Sequence, residues 1–449
     1  MKTLVIYQHS YMRASRIAIR IFLSATLCIA CLPSASAQPA ELTVPPQTSL
    51  SLAQVQGLVL DNDQQLSSYQ LRQQGLRAQQ QSQGYWSAPR LGVGMLNVPL
   101  DSFSLSQEPM TQMQVTLSQA LPRGNSVHLQ QQKSAQQASA QGESLALRRA
   151  ELRRDSALLW LDIARATEAE TLVQRHEAHF RQLRSVVLSR YGNATNTRAQ
   201  DLLRLDLELE RLSERLLTLK QTRLEARARL NEWLPVDVQQ LPLQLADAPE
   251  VFSFNPQDFT AHIEQHPAIL LRQTLEQAAD TAVALAREDE APQWQLNAAY
   301  GYRGDDMNGD DRADFVSLGV SVDLPWAIQG GTRHATKAKI LEREALAAER
   351  EQILRHLLSQ ADSISQRSQL QRQRLDFYDQ RLLPQLEQQR QAVQTSYAND
   401  DSDFTEVIRA EMDELNGNIE RLNVLRDWHQ SQVWLGFYLA ADLKEISHE

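Results

Sequence analysis

The sequence is written twice. Shifting it by 203 residues lays Leu66 on Ile269, Pro89 on Pro292 and Pro122 on Pro325, so each half holds two prolines 33 residues apart. A duplicated unit fixes the architecture more tightly than any single motif, because both copies have to solve the same packing problem. Inside each proline pair the apolar residues recur with period two. Leu91, Val93 and Met95 share one face of a segment at about 90–98, and Met113, Val115 and Leu117 share one face of a segment at about 111–121. In the second half, Trp294, Leu296, Ala298, Tyr300 and Tyr302 do so over about 293–303, and Val316, Leu318, Val320, Val322 and Leu324 over about 314–324. The intervening positions are mostly Gln, Ser, Thr, Asn and Gly. One apolar and one small polar face is the signature of a half-buried strand. About ten residues is also the length of a tilted strand that crosses a bilayer in a barrel. Two hairpins of a soluble sandwich would read alike, but a sandwich calls for more strands than these.

Beyond each strand pair the period changes. Leu145, Leu152, Leu159, Ala166, Val173, Phe180 and Val187 recur every seven residues, and Leu202, Leu205, Leu209, Leu212, Leu216 and Leu219 alternate spacings of three and four. Ile408, Met412, Leu415, Ile419 and Leu422 repeat that alternation in the second half. Sustained seven-residue repeats predict supercoiled helices. The expected long helices are 142–190 and 201–234 in a first repeat spanning 38–234, and 332–396 and 404–440 in a second spanning 259–440. The stretch 142–190 lacks proline and would reach about 70 Å as one helix. The segment 235–258, with Pro235, Pro242, Pro249 and Pro256, reads as the linker, and 441–449 as a tail. Low aromatic content (6%) and only 16 Gly and 16 Pro agree with long helices.

Residues 1–37 read as a secretory signal peptide. Lys2, Arg13, Arg16 and Arg20 precede the apolar run Ile21–Leu32 and then Ala35-Ser-Ala37. That run is shorter than the about 20 residues a membrane-spanning helix needs. Both cysteines, Cys28 and Cys31, fall within this segment; Cys31 raises lipidation as an alternative, with Cys28 standing where a Leu is expected. Removing the segment takes away four basic residues and no acidic one, so the net charge moves from -10 to -14, with 41 basic residues against 55 acidic. Such a balance argues against a nucleic-acid partner. No other stretch approaches the 18 apolar residues of a transmembrane helix, which leaves an exported chain that is periplasmic, secreted or an outer-membrane β-barrel.

The order helix, β-hairpin, long helix, turn, long helix, written twice, resembles the outer-membrane efflux proteins of the TolC family over nearly the whole mature chain. The opening Leu50-Ser-Leu-Ala-Gln with Asp61, Asn62 and Leu66 resembles the family's first helix. Pro89-Arg-Leu-Gly-Val-Gly, Asn97-Val-Pro-Leu-Asp-Ser-Phe-Ser-Leu, Glu108-Pro-Met and Leu117-Ser-Gln-Ala-Leu-Pro-Arg-Gly resemble the first hairpin of its heavy-metal efflux branch. Tyr191 with Asp201-Leu-Leu, and Tyr397 with Asp403-Phe-Thr-Glu-Val-Ile, resemble its two helix-turn-helix tips. The Gly common three residues after each tip Tyr is Ala194 in one repeat and Asp400 in the other.

The resemblance implies a mainly α fold with a small membrane β part. Three copies of a four-stranded protomer complete a 12-stranded outer-membrane barrel above long periplasmic coiled-coil helices. It also implies a homotrimer in outer-membrane lipid, a periplasmic adaptor (membrane fusion) protein and an inner-membrane RND-type transporter. The function implied is passive exit from a tripartite efflux system. The cargo is heavy-metal cations or other small toxic compounds, with type I protein secretion as the competing outlet. A non-transport periplasmic coiled-coil protein is the alternative from a different class, and it has no use for repeated ten-residue hairpins.

Passage, rather than catalysis, sets the candidate residues. Asp400, Asp401 and Asp403 cluster at the second tip, where a threefold axis would turn them into acidic rings of the kind that select cations. Asp is also a preferred helix N-cap, and the two roles coexist. Arg198 and Asp201 of the first tip are possible interlocking partners, and Tyr191, Arg198, Asp201, Tyr397 and Phe404 are candidates for tip and adaptor contacts. Asp305, Asp306, Asp310 and Asp311 form an acidic loop between the third and fourth strands, read as the outer mouth. Its Asp306-Met-Asn-Gly-Asp310 run lacks the calcium-loop spacing. His176-Glu-Ala-His179 lacks the His-Glu-x-x-His order of a metalloprotease and reads as two solvated histidines. No cofactor, metal site or catalytic constellation is expected.

Overall fold

A computed structural model describes residues 49–192, 199–245, 259–324, 329–399 and 403–440. The expected signal peptide with Cys28 and Cys31, the 246–258 part of the linker and the tail 441–449 lie outside the described residues. The first repeat runs α1 (Leu52–Asn62), α2 (Gln64–Ser82), β1 (Arg90–Leu96), β2 (Gln112–Ala120), α3 (Ser126–Gly192) and α4 (Ala199–Asn231). The second runs α5 (Phe259–Ile263), α6 (Pro267–Glu288), β3 (Trp294–Tyr302), β4 (Phe315–Val322), α7 (Gln329–Phe377), a π-helical turn (Tyr378–Leu382), α8 (Leu383–Ala398) and α9 (Phe404–Tyr438).

Local chemistry accounts for the element ends. Ser51 and Gln54 form a capping box that starts α1, and Asp63 accepts the Leu66 N–H at 2.8 Å to start α2. Asp63 also receives Arg148 of α3 at 2.8 Å, which ties the opening helices to the long one. Pro267 occupies the first turn of α6, where its missing N–H costs nothing.

Two helix boundaries depart from the sequence reading. The helix expected at 142–190 begins at Ser126, because Ser134, Ala138 and Ala140 continue its buried seam with small residues that heptad counting does not register. The helix expected to run unbroken over 332–396 is interrupted by the π turn. Pro384 has no N–H to give the Gln380 carbonyl, and the N–H of Leu383 reaches back to Tyr378 instead. Arg421 of α9 forks onto Asp379 within this turn, and Arg374 meets Glu420 at 3.3 Å, so α9 braces the interruption.

The helices bury their apolar seams among themselves. One core joins Val173, Phe180 and Val187 of α3 to Leu205, Leu212, Leu216 and Leu219 of α4 and to Phe404, Val407, Ile408, Leu415 and Ile419 of α9. A second gathers Val55, Val59 and Leu66 around Leu152, Trp160 and Leu230. A third packs Phe259, Ile263 and Ile269 on Leu357, Ala361 and Ile364 of α7 and Leu435 of α9. Burying a large aliphatic or aromatic side chain contributes about 1.5–3 kcal/mol, so each cluster is a substantial stabiliser.

The strands form one antiparallel sheet in the order β1-β2-β3-β4. Its register lines up the alternating residues across all four strands. Val93, Val115, Tyr300 and Val316 make one row, and Leu91, Leu117, Ala298 and Leu318 make the next. Successive side chains point to opposite faces. One face is therefore apolar apart from Gln119 opposite Leu296 near the helix end, and the other carries Gln114, Thr116, Ser118, Asn297, Ser317 and Ser321 with glycines and Phe315. No described element covers the apolar face: Val93 is 72% exposed and Leu318 is 82% exposed. Among the described residues, the outer edges of β1 and β4 pair with no strand. No described helix is long and apolar enough to cross a membrane.

Candidate functional site: two loop ends and a helical tip

The sheet divides the molecule into a loop end and a helix end. Both hairpin loops, 97–111 and 303–314, leave from the end opposite the helices. They are tied to each other. Arg303 donates to the Pro109 carbonyl at 3.1 Å, and Arg312 donates to the carbonyls of Glu108 at 3.1 Å and Ser106 at 3.3 Å. Asp305, Asp310 and Asp311 are exposed on the second loop. Asp306 is its organiser: its Oδ1 accepts from Asn308 N at 2.7 Å and Asp310 N at 2.9 Å, and Gly309 takes φ +88 to close the turn. The Asp310 N–H, the strongest influence, holds the Asp306 carboxyl below its usual range. The acidic loop is thus ordered by its own backbone. Among the described residues, no three His, Cys, Asp or Glu side chains converge as a metal site.

At the other end of the sheet, Arg123 bridges Asp323 at 3.0 Å and Asp289 at 3.4 Å. One guanidinium thereby fixes the exit of β4 and the end of α6 beside the start of α3.

The far ends of the helices meet at the tips. Asp403 is the N-cap of α9, its carboxylate accepting from Thr405 N at 3.4 Å. Phe404 is only 3% exposed and lies in the tip core, with the Tyr397 ring 5.4 Å away. Phe404 shapes the tip from inside and offers no surface in the isolated chain, while Tyr397 packs on it half-buried. Asp201 is likewise buried, in the first turn of α4. Arg204 of α4 donates to the Thr405 hydroxyl, which joins the two tips directly. Arg198, Asp400 and Asp401 lie outside the described residues. Tyr191 falls in the last turn of α3, but its side chain is also outside them.

The expectation of two solvated histidines fails for His176, which is largely buried, and holds in part for His179, whose side chain is 38% exposed. Both face Glu411 of α9, which is 1% exposed. His179 Nε2 lies 3.2 Å from one carboxylate oxygen and His176 Nδ1 lies 3.8 Å from the other. From α8, Gln394 Nε2 donates to Glu411 at 2.5 Å, Arg390 approaches it at 3.7 Å, and Arg390 also pairs with Glu414 at 2.5 Å. Burial holds the His176 imidazole below its ordinary pKa, outweighing the pull of Glu411. Helical spacing puts the two histidines on adjacent faces, but nothing local in the sequence announces a carboxylate 232 residues away.

No protein-family model matches the chain, and no curated protein matches it in sequence. Solved structures do. The outer-membrane channel OprN superposes with a TM-score of 0.72 at 16% identity, over 86% of this chain and 89% of that one. The outer membrane protein VceC of Vibrio cholerae gives 0.70 at 15% identity, over 86% and 95%. The open state of the Neisseria gonorrhoeae MtrE outer membrane channel gives 0.69 at 16%, over 86% and 88%. Both repeats, the four-stranded sheet and the paired tips thus compose the fold of these outer-membrane channels.

Proposed function

We propose that this chain is the outer-membrane exit duct of a tripartite efflux system. One observation carries the reading: a four-stranded sheet with a largely apolar, exposed face and two edges that no described strand pairs, attached to helices that are well packed. Free edges in a folded protein call for a partner. Three copies supply twelve strands, an even number that closes into one barrel with lipid outside and the Gln, Ser, Thr and Asn face around water. Trp294 at the helix end of β3, and Tyr300 and Tyr302 at its loop end, then sit at the two membrane interfaces.

In this reading the helices continue the passage into the periplasm, and the tips meet an adaptor protein and an inner-membrane RND-type transporter that supplies the energy. Asp400, Asp401 and Asp403 form the acidic constriction, with Arg198 and Asp201 of the first tip as interlocking partners. Tyr191 and Tyr397 shape the surface the adaptor meets. Asp305, Asp306, Asp310 and Asp311 draw cations to the outer mouth. The cargo is small toxic solutes, with heavy-metal cations favoured by the likeness of the first hairpin. The chain performs no chemistry on that cargo.

The test is fractionation followed by single-channel recording. The reading expects a detergent-extracted, heat-modifiable trimer that conducts in planar bilayers and is blocked by polyvalent cations. Asp403→Ala should change that block. Recovery as a soluble periplasmic monomer would defeat the reading.

A further inference from the structure

Arg90 is the one charged residue within the four strands. It opens β1 at the helix end, stands exposed on the polar face opposite Ser118, and has no ion-pair or hydrogen-bond partner for its guanidinium among the described residues. A guanidinium is a fixed cation whose forked donors fit a carboxylate. The carboxylate at the same end of the sheet is Asp323. It follows β4 directly, and its N–H donates to the Gln293 carbonyl at 3.0 Å, so the strand path continues through it. Arg123 takes its Oδ2 at 3.0 Å; the side chain is otherwise 62% exposed, with Oδ1 open. Arg90 and Asp323 both line a polar cavity of about 320 Å³ with Ser118, Gln295 and Ser321, which places them on one face. They do not meet there, because β1 and β4 are the two edges of the sheet, three strand spacings or about 14 Å apart.

We propose that Asp323 of one copy and Arg90 of the next form an ion pair across the seam where β4 meets β1, and that this pair holds the helix end of the seam in register. The proposal rests on the duct reading, whose closed wall supplies the seam.

The internal repeat supplies the alignment. β4 runs toward the helices and β1 away from them, so the two edges meet antiparallel, like every other pair in the sheet. The β2–β3 pairing joins the first hairpin to the second, and the seam joins a second hairpin to the first hairpin of the next copy. Carrying β2–β3 over by the 203-residue shift therefore gives the seam. Ala120 opposite Gln295 becomes Asp323 opposite Gly92, and Ser118 opposite Asn297 becomes Ser321 opposite Gly94. On the other face, Leu117 opposite Ala298 becomes Val320 opposite Met95, and Gln119 opposite Leu296 becomes Val322 opposite Val93. Apolar residues thus meet apolar ones and polar residues meet polar ones along the whole seam. Arg90 is then the diagonal neighbour of Asp323 on the water-facing side, a separation that a long side chain spans. Gly92 lies between them and puts no side chain in the way. Each Asp323 carboxylate would hold Arg123 of its own copy on one oxygen and Arg90 of the next on the other. An odd slip of the seam would turn polar residues to the apolar side, whereas even slips keep the faces matched. Charge is what limits the even slips.

Trimer dissociation of the full chain in detergent, followed on gels at a fixed elevated temperature, reads the pair. An exposed ion pair is worth up to a few-fold in an equilibrium, and three seams act together. Arg90→Gln should shorten the dissociation half-time about tenfold, Arg90→Glu should shorten it further, and Arg90→Lys should stay within about twofold of the wild type. Asp323→Asn also frees Arg123, so the double-mutant cycle isolates the seam: in the Asp323→Asn background, Arg90→Gln should change the half-time less than about twofold. An additive cycle would overturn the pair and leave the duct standing. So would an Arg90→Gln trimer of unchanged half-time whose current turns more cation-selective, the mark of an arginine standing unpaired in the passage. If Asp323→Asn does not assemble, the order Lys, Gln, Glu at position 90 decides, and equal half-times would overturn the pair. A wild type that never forms a trimer would overturn both the pair and the duct reading.

Discussion

The helices and the sheet of this chain have solved the burial problem differently. Around Phe180, Trp160 and Ile263, seams from several helices close on one another and leave the large side chains without solvent contact. Along β1 and β4, every residue is exposed on both faces, and rows such as Val93, Val115, Tyr300 and Val316 stand open. Soluble monomers rarely display contiguous apolar patches of this kind. The difference teaches that one chain encodes a finished helical body and an unfinished wall. In the proposed duct, the wall's missing neighbours are lipid on its face and strands on its edges.

That contrast can be broken from either side. The largest effect is expected in the finished part: Phe180→Ala empties the core shared by α3, α4 and α9 and should cost about 3–5 kcal/mol in denaturant unfolding. On the wall, Leu318→Arg should cost about 2–4 kcal/mol in a bilayer, where the charge meets hydrocarbon. The same change should leave helical unfolding in detergent unmoved. A loss of helical stability from Leu318→Arg would mean that the sheet's apolar face packs on protein.

Acid sharpens the helical side. His266 caps α6 with Nδ1 accepting from Ala268 N at 3.2 Å, and burial pushes its pKa down to about 4. An imidazole whose native pKa lies below its unfolded value binds fewer protons when folded. Its contribution is full above the unfolded pKa of 6.5 and is lost as pH falls toward 4. Between pH 7 and 5 this amounts to about 2 kcal/mol of helical stability. His266→Asn, which keeps a capping side chain, should flatten that limb in a melting-temperature series. The smallest effect belongs to the tip: Asp403→Ala removes the N-cap of α9 and should cost about 1 kcal/mol. Any change in ion block beyond that measures its separate part in the constriction.

Much of this was legible in the sequence, for physical reasons. Leucines at spacings of three and four mark α4, because a packed helix repeats on that period. Period-two rows mark β1 to β4, because a strand alternates faces. The first part of α3 hid, since Ala138, Ala140 and Ser134 build a close seam without large residues. The π turn at Tyr378–Leu382 was written in Pro384 but masked by helix-forming neighbours on both sides. The Glu411 cluster was invisible for a different reason. Its members come from α3, α8 and α9, and only tertiary packing decides that His176 and His179 face a carboxylate instead of water.

The central claim is that the open edges of the wall close on copies of the same chain. With the two native cysteines confined to positions 28 and 31, single cysteines placed at Val93 on β1 and scanned along Val316, Leu318 and Val320 on β4 report edge contact between copies. Oxidation in outer-membrane vesicles should give a ladder of monomer, dimer and trimer that ends at the trimer. A chain that stays monomeric for every pair, or a ladder that runs past three, would contradict the closed twelve-stranded wall.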